Sequence, residues 1–310
     1  MNRILVFTPA EDQRLRAVGL ASALARKTGA SLLLVRVIEE SATWLRGPGG
    51  TESERKLRDL LVDRETRELR TIADSIRTAS EESIDIEIEV RWGVPWEVVI
   101  ELVEQRSFDL VVKPARGLSH SGRVFFGATA LHLFRRCPCP VWVVGDDGSL
   151  PQRILLSIDP SLDPTRREMA SKLIEWGDAV REASGAELEI ASAWQAPAAD
   201  LLKEIFDGSE LDDYVKDAFE RAEKGLATII RESHSGPAVA RCHLLAGSPR
   251  DLIPDFAEDR GFDLVVVGTL GRTGVAAELL GETAELILRG VRCSVLTVSP
   301  LHRSPRDIER

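Results

Sequence analysis

The stretch that decides the fold reads Phe262-Asp-Leu-Val-Val-Val-Gly-Thr-Leu-Gly-Arg-Thr-Gly-Val-Ala-Ala-Glu-Leu-Leu-Gly-Glu-Thr283. Its apolar run at residues 264–267 is typical of a fully buried parallel strand. Glycines follow at Gly268 and Gly271, and a helical pattern begins near Gly281. A strand that leads through a glycine-rich turn into a helix predicts an anion site, because the unpaired N–H groups of the first helical turn point towards the bound group.

The glycine spacing identifies a family resemblance. Gly268-x2-Gly271-x9-Gly281 differs from the dinucleotide-binding G-x-G-x-x-G and from the Walker loop. It resembles the nucleotide-binding motif of the universal stress protein family, G-x2-G-x9-G-(S/T), in which ATP phosphates sit over the loop. One position departs from the motif. Glu282 stands where the family has Ser or Thr, and Thr283 follows it. A carboxylate there repels a triphosphate, whereas a hydroxyl would donate a hydrogen bond.

Length, composition and charge limit the class of protein. The chain has 310 residues, 44% apolar and 29% charged, which suits two soluble globular domains. Its net charge of -10 argues against nucleic acid and acidic membrane surfaces as partners. No apolar run approaches the roughly 20 residues that span a bilayer. The first residues resemble a strand and not a signal peptide, and four cysteines predict no disulfide framework. We therefore expect a cytoplasmic protein.

The sequence contains an internal repeat. Phe108-Asp-Leu-Val-Val112 recurs 154 residues later at 262–266, and Gly117 and Gly127 meet glycines at the same shift. Two copies of about 150 residues indicate a tandem pair of α/β domains rather than a solenoid. We predict a first domain at residues 1–146 and a second at 152–301, arranged as a pseudo-dimer.

Alternating strand and helix patterns in each copy predict a parallel sheet covered on both faces, the doubly wound class. The family resemblance implies the same architecture, Rossmann-like and similar to the adenine nucleotide alpha hydrolases. In such sheets ligands bind at the carboxyl ends of the strands, beside the switch in strand order. Asp159, after the first strand of the second copy, and Gly268, after the fourth, are both expected there.

The two copies differ in the residues that the resemblance implies for binding. The family places an aspartate after the first strand, near the nucleoside, and the second copy has Asp159 where the first has Pro9. In the loop, the first copy has Pro114 for the first glycine and Ala128 for the hydroxyl residue. Proline supplies neither a positive φ nor an N–H donor. We expect no nucleotide in the first copy.

For the second copy, the resemblance implies weak binding of ATP or ADP with Mg²⁺, or of another small molecule. Arg272 adds a cation that could reach a phosphate, Glu282 opposes it, and Ala193 contributes its backbone at the close of the second strand. Asp159 has an alternative role as the cap of a helix that begins near Asp163 or Pro164. The implied binding set is Asp159, Ala193, Gly268, Gly271, Arg272, Gly281, Glu282 and Thr283.

Neither catalytic nor metal chemistry is indicated. Cys137-Pro-Cys139 lacks the spacing and further ligands of a zinc site, and the flanking prolines predict buried structural thiols in a helix-to-strand turn. There is no nucleophile elbow and no His-Glu-x-x-His helix. We predict a non-catalytic, ligand-responsive stress protein. The alternatives are slow ATP hydrolysis at the second copy, or a pure interaction protein whose pocket is filled by Glu282 pairing with Arg272.

The fused copies predict a contact between the strands that close each sheet. Residues 141–144 and 295–298 are short, apolar and equivalent, and an exposed apolar edge invites pairing. Single-domain members of the family typically dimerise, and fusion makes such pairing intramolecular. We hypothesise that these strands pair antiparallel about a pseudo-two-fold axis. The resemblance covers nearly the whole chain and extends to the tandem E-type members of proteobacteria. The sequence leaves open whether two chains also form a homodimer.

Overall fold

The computed structural model describes residues 1–10, 15–39, 51–79, 84–115, 117–118, 124–145, 148–198, 208–233, 241–269 and 280–305. The chain forms two compact units. The first unit holds most of residues 1–150 together with the residues from Leu301 onward, and the second holds residues 151–300. Among the described residues, no helix is both long enough and apolar enough to span a membrane.

The first unit is built on a five-stranded parallel sheet with the strand order β7-β4-β1-β2-β3. The short strands β5 and β6 form a separate two-stranded sheet. The elements of the first unit are β1 (Arg3–Phe7), α1 (Arg16–Thr28), β2 (Ser31–Ile38), α2 (Glu52–Thr78), β3 (Ile86–Trp92), α3 (Pro95–Arg106), β4 (Leu110–Pro114), β5 (Gly117–Leu118), β6 (Val124–Phe125), α4 (Gly127–Arg136) and β7 (Val141–Val144).

The second unit repeats this arrangement with the parallel strand order β12-β11-β8-β9-β10. The chain adds strands on one side of β8 and then crosses to the other side, so the switch in strand order lies between β8 and β11. The doubly wound α/β class is confirmed. Its elements are β8 (Arg153–Ser157), α5 (Pro164–Ser184), β9 (Glu187–Trp194), α6 (Gly208–Glu232), β10 (Arg241–Ala246), α7 (Pro249–Asp259), β11 (Leu264–Gly268), α8 (Glu282–Gly290) and β12 (Ser294–Val298).

The central strands are buried on both faces, as their unbroken apolar sequences require. Residues 264–267 of β11 are each at most 3% exposed, and residues 4–6 of β1 are fully buried. β3 alternates apolar and charged residues and lies at the sheet edge, where one face reaches solvent. The pattern of apolar residues therefore indicates where the strands lie and which of them are buried on both faces.

Local signals in the sequence fix the ends of α5. Asp163 is the N-cap, and its carboxylate accepts from the backbone N–H groups of Thr165 and Arg166 at 3.1 and 3.2 Å. Pro164 follows at the first helical position, where its missing N–H costs nothing. The helix ends at Gly185, whose φ of 75° is readily adopted by glycine.

A buried carboxylate stands within the second sheet. Glu189 of β9 lies opposite Leu155, the register position that Leu33 occupies in the first unit. Its side chain is 4% exposed and accepts hydrogen bonds from Arg153 Nη2 at 3.0 Å and His243 Nε2 at 2.7 Å. Burial alone would raise the pKa of Glu189, but the hydrogen bonds from His243 and Arg153 outweigh burial and lower that pKa.

We expect Glu189→Gln to lower the free energy of unfolding by about 3 kcal/mol at pH 7, because it removes the buried carboxylate that accepts from His243 and pairs with the Arg153 guanidinium. A lowered folded pKa means that this stabilisation is present above the unfolded carboxyl pKa of about 4.3 and is lost as pH falls through the folded value. Urea unfolding of the full chain at pH 7 and pH 3 should show the gap and its decrease.

The matched control is Glu187→Gln. Glu187 is on the same strand, but its side chain is 78% exposed, and its carboxylate approaches Arg153 Nε no closer than 4.0 Å. We expect a change within about 0.5 kcal/mol. An undiminished gap between wild type and Glu189→Gln at pH 3 would show that ionic pairing is not the source of the stabilisation.

Candidate functional site

The switch in strand order brings two of the predicted site residues to one edge of the second sheet. Ser157 of β8 lies opposite Val267 of β11, and adjacent strands are about 4.8 Å apart. Asp159 follows β8 by two residues, and Gly268 ends β11. The carboxyl ends of these strands therefore form the floor of a site with a residue of the predicted set on each side.

Gly268 has a packing role in addition to its predicted one. A Cβ atom placed on Gly268 would lie 3.1 Å from Met169 Cγ and 3.5 Å from Leu173 Cδ1, both on α5. The strand end is thus tightly covered by the helix on one side. A larger residue here would require the Met169 side chain to shift, whatever binds to the loop.

The glycine-rich loop is tied at both ends. The backbone N–H of Thr269 donates to Val298 O at 2.8 Å, and that of Gly281 donates to Thr269 O at 3.1 Å. The loop therefore leaves β11 and returns beside it at the start of α8. Gly271, Arg272 and the predicted pairing of Arg272 with Glu282 lie outside the described residues.

The N-terminus of α8 presents the backbone donors that the motif predicts. Gly281 is the N-cap and has no capping side chain, and the first intrahelical bond runs from Glu285 N to Gly281 O. The N–H groups of residues 282–284 precede that bond and have no intrahelical acceptor. Glu282 is exposed and Thr283 is half-buried. A carboxylate at this position favours the free helix, because it complements the positive end of the helix dipole.

Asp159 takes part in an ion pair rather than a helix cap. Its carboxylate accepts from Ser161 N at 3.0 Å and from Arg166 Nη1 at 2.5 Å. The alternative role as the cap of α5 is wrong, because Asp163 caps that helix. The Asp159 side chain is 51% exposed, so one face of its carboxylate remains open to solvent at the sheet edge.

The backbone of Ala193 faces the same edge. Ala191 O accepts from Ile158 N on the β8 side, whereas Trp194 O accepts from Gly247 N on the β10 side. Backbone groups of a strand alternate in direction, so those of Ala193 point towards β8, which has already ended at Ser157. The peptide groups of Ala193 are thus directed at the space beside Asp159, as the sequence predicts for a nucleoside contact.

A glycine inside α6 holds the loop that carries Asp159. A Cβ atom placed on Gly225 would lie only 2.0 Å from Pro160 O. The helix therefore approaches the β8–α5 connection more closely than any side chain permits. Sequence reasoning missed this residue, although a lone glycine within a long helical pattern is a recognisable signal of close packing.

We expect Gly225→Ala to lower the free energy of unfolding by about 2 kcal/mol, because forcing backbone apart outweighs the roughly 1 kcal/mol that alanine gains over glycine in a helix. Urea unfolding of the full chain measures the change. The control is Gly208→Ala in the same helix, where an added Cβ meets nothing within 4 Å and stability should not fall. Equal effects of the two substitutions would contradict the packing role.

Comparison with known proteins identifies the family. The sequence profile of the Universal stress protein family matches residues 1–145 and again residues 152–299. The chain belongs to the universal stress protein family. The resemblance inferred from the glycine spacing is therefore confirmed, and so is the tandem arrangement.

Relatives and solved structures match over most of the chain. Universal stress protein E of Salmonella typhi is 30% identical over 309 residues, which cover 96% of this chain and 94% of that protein. Universal stress protein E of Escherichia coli K12 is 31% identical over 234 residues, covering 73% of this chain and 72% of that protein.

Two solved structures show the same fold. A universal stress protein from Pseudomonas aeruginosa UCBPP-PA14 superposes with a TM-score of 0.68 at 19% identity, covering 100% of this chain and 98% of that one. One from Archaeoglobus fulgidus DSM 4304 gives 0.63 at 16% identity, covering 98% and 97%.

In the first universal stress protein unit, charged side chains occupy the equivalent edge. Ser192 Oγ in the second unit donates to Ile158 O at 2.7 Å, whereas Arg36 Nε in the first donates to Thr8 O, the equivalent carbonyl, at 3.0 Å. Arg36 is buried and also contacts two glutamates of α2, Glu65 at 2.7 Å and Glu68 at 2.6 Å. Its hydrogen bond lowers the pKa of Glu68.

Two further cations bond to carbonyl groups at that edge. Arg16 donates to Ala115 O at 3.1 Å and to Gly145 O at 2.9 Å, and the buried Lys113 donates to Pro114 O at 2.6 Å. Pro114 ends β4 where the second unit has Gly268. The first universal stress protein unit thus satisfies its strand ends with its own side chains.

The thiols of the cysteine turn are buried, as predicted. Cys137 and Cys139 are free and buried between α4 and β7, and their sulfur atoms are 3.8 Å apart. Burial raises the pKa of the Cys139 thiol, which disfavours the reactive thiolate. Within the part of the chain that the structure describes, no group of three or more His, Cys, Asp or Glu side chains could hold a metal ion.

Proposed function

We propose that this universal stress protein is a non-catalytic, cytoplasmic regulatory protein of the stress response whose second unit binds ATP or ADP weakly, with Mg²⁺ carried by the nucleotide. The first unit acts as a scaffold. One observation carries the proposal: the second unit directs Asp159, the backbone of Ala193, Gly268 and the open start of α8 to one edge of its sheet.

The roles follow from the chemistry of each group. Ala193 offers backbone donors and acceptors to the edge of a base, and Asp159 offers a carboxylate to a ribose hydroxyl or an amine. The N–H groups of residues 282–284 are donors for phosphate oxygens at a helix N-terminus. Glu282 opposes the phosphates and favours the unliganded helix, which accounts for weak binding.

The first unit supports the scaffold role by contrast. The carbonyl that Ser192 satisfies with a small hydroxyl is satisfied there by the guanidinium of Arg36, which extends across the edge to α2. Pro114 also removes the backbone N–H that a phosphate would need. Pairing of the units through β7 and β12, and further homodimerisation, stay predictions.

Titration calorimetry of ATP with Mg²⁺ into the full chain tests the proposal. We expect weak binding by the wild type and roughly tenfold tighter binding by Glu282→Ser, equivalent to about 1.4 kcal/mol, because a hydroxyl donor replaces a repelling charge. Adenosine should bind both proteins equally, since it carries no phosphate.

The matched control is Glu285→Ser. Glu285 lies in the same turn of α8 but pairs with Arg289 at 2.5 Å, so its removal should change the ATP affinity less. A wild type and a Glu282→Ser variant that both fail to bind would overturn the nucleotide site and favour the interaction-protein alternative. Release of inorganic phosphate at a rate that Glu282→Ser increases would instead favour slow ATP hydrolysis.

A further inference from the structure

The start of α5 carries an arginine that helix electrostatics do not favour. Its first turn contains no acidic residue, but Arg166 and Arg167 both fall there. A cation at a helix N-terminus is disfavoured by about 0.3–1 kcal/mol, because the end of the helix is itself positive. Arg167 is paired with Glu232 of α6, and Arg166 is paired with Asp159. A residue that violates a local rule at a ligand-binding edge is expected to serve function.

The position of Arg166 places it beside the glycine-rich loop. Arg166, Met169 and Leu173 are spaced by three and seven residues and share one face of α5. Met169 and Leu173 of that face cover Gly268, where the loop begins. Arg166 lies one turn nearer the carboxyl edge, about 4.5 Å along the helix axis from Met169. Its bond to Asp159, which follows the strand next to β11, holds the guanidinium at the same edge.

The guanidinium retains capacity to bind an anion. Arginine has five N–H donors, and across the described residues the only side chain that accepts from Arg166 is Asp159, through Nη1. The Arg166 side chain is 28% exposed, so its remaining donors reach solvent. A planar donor set of this kind matches the oxygen atoms of a phosphate group.

The helix segment that carries Arg166 has no described counterpart in the first unit. Both α1 and α5 end at a left-handed glycine before the second strand, but α1 has 13 residues and α5 has 21. The difference extends α5 by about two turns, or 12 Å, on its N-terminal side. The unit that retains the glycine motif is thus also the one whose first helix is longer by about two turns, and Arg166 lies in that additional segment.

We propose that Arg166 is a phosphate-binding residue of the second unit, whose guanidinium contacts a phosphate group of the bound nucleotide and offsets the charge of Glu282. This inference rests on the proposed nucleotide site. Asp159 then has a second role, because it orients Arg166 through the ion pair while its open face accepts from the nucleoside.

The test is a calorimetric ladder of adenosine, AMP, ADP and ATP with Mg²⁺, titrated into the full-length wild type, Arg166→Gln, Arg166→Lys and Arg167→Gln. We expect Arg166→Gln to bind ATP about tenfold more weakly and adenosine unchanged, because only the phosphates contact the guanidinium. Arg166→Lys should recover part of the ATP affinity, since it keeps the charge but loses the planar donor set. Arg167→Gln, changed at the adjacent residue, should match the wild type.

Each other outcome decides between the two proposals. Unchanged ATP binding by Arg166→Gln overturns the role of Arg166 and leaves the nucleotide site intact. Equal loss of adenosine and ATP shows a structural role through Asp159 and also overturns it. A wild type that binds no member of the ladder overturns the nucleotide site, and titration with inorganic tripolyphosphate then decides the inference. Tripolyphosphate binding that Arg166→Gln abolishes supports an anion site, and no binding overturns it.

A folding defect is separated from a binding defect by the thermal unfolding midpoint of each variant. Arg166 is partly exposed, and the cap of α5 by Asp163 does not involve its side chain. If Arg166→Gln has a lower unfolding midpoint than the wild type, the ligand titrations of Arg166→Lys are used to decide instead. An unchanged ATP-to-adenosine affinity ratio in that variant would contradict a phosphate contact through the planar guanidinium.

Discussion

Close packing of helices against the strand ends is the constraint on which the proposed second site depends. At Gly268 the strand end meets Met169 of α5, and at Gly225 the helix α6 meets Pro160 O. Gly225 leaves no room for a Cβ atom against the Pro160 carbonyl, and a Cβ atom on Gly268 would require the Met169 side chain to shift. The two contacts hold the end of β11 and the connection after β8 at the same edge, so the groups of the proposed site are positioned by helices lying behind them.

The two units carry different side chains at the same edge of the sheet. A carbonyl just beyond the first strand of each sheet needs a donor. Ser192 supplies it from a short side chain, whereas Arg36 supplies it from a long one that also pairs with α2. A buried guanidinium needs several acceptors and brings acidic partners with it. Arg36 in the second strand of the first unit therefore accounts for the positions of Glu65 and Glu68 on α2.

Sequence patterns predicted most of the fold, and the sequence left the pairing of distant side chains undetermined. The apolar run before Gly268 and the repeat at 154 residues predicted the strands, the tandem units and the edge that holds the loop. The Asp163-Pro164 signal placed the start of α5. The ion pair of Asp159 with Arg166 and the contact of Gly225 with Pro160 depend on how helices lie on the sheet, which periodicity does not encode. Asp159 was open to two interpretations for that reason.

The opposing charges at the proposed second site are similar in strength. Backbone donors therefore decide how a ligand would be recognised there. Glu282 is in solvent, where two unit charges 4 Å apart interact by only about 1 kcal/mol in water and salt screens them further. The pair of Arg166 with Asp159 is half-exposed and contributes on the same scale. Neither sign dominates, so in the proposed site the N–H groups of residues 282–284 and the peptide groups of Ala193 would supply the directional part of recognition. These groups depend on the backbone path and not on side-chain identity, which explains how the site keeps its geometry although its hydroxyl residue is replaced by a carboxylate.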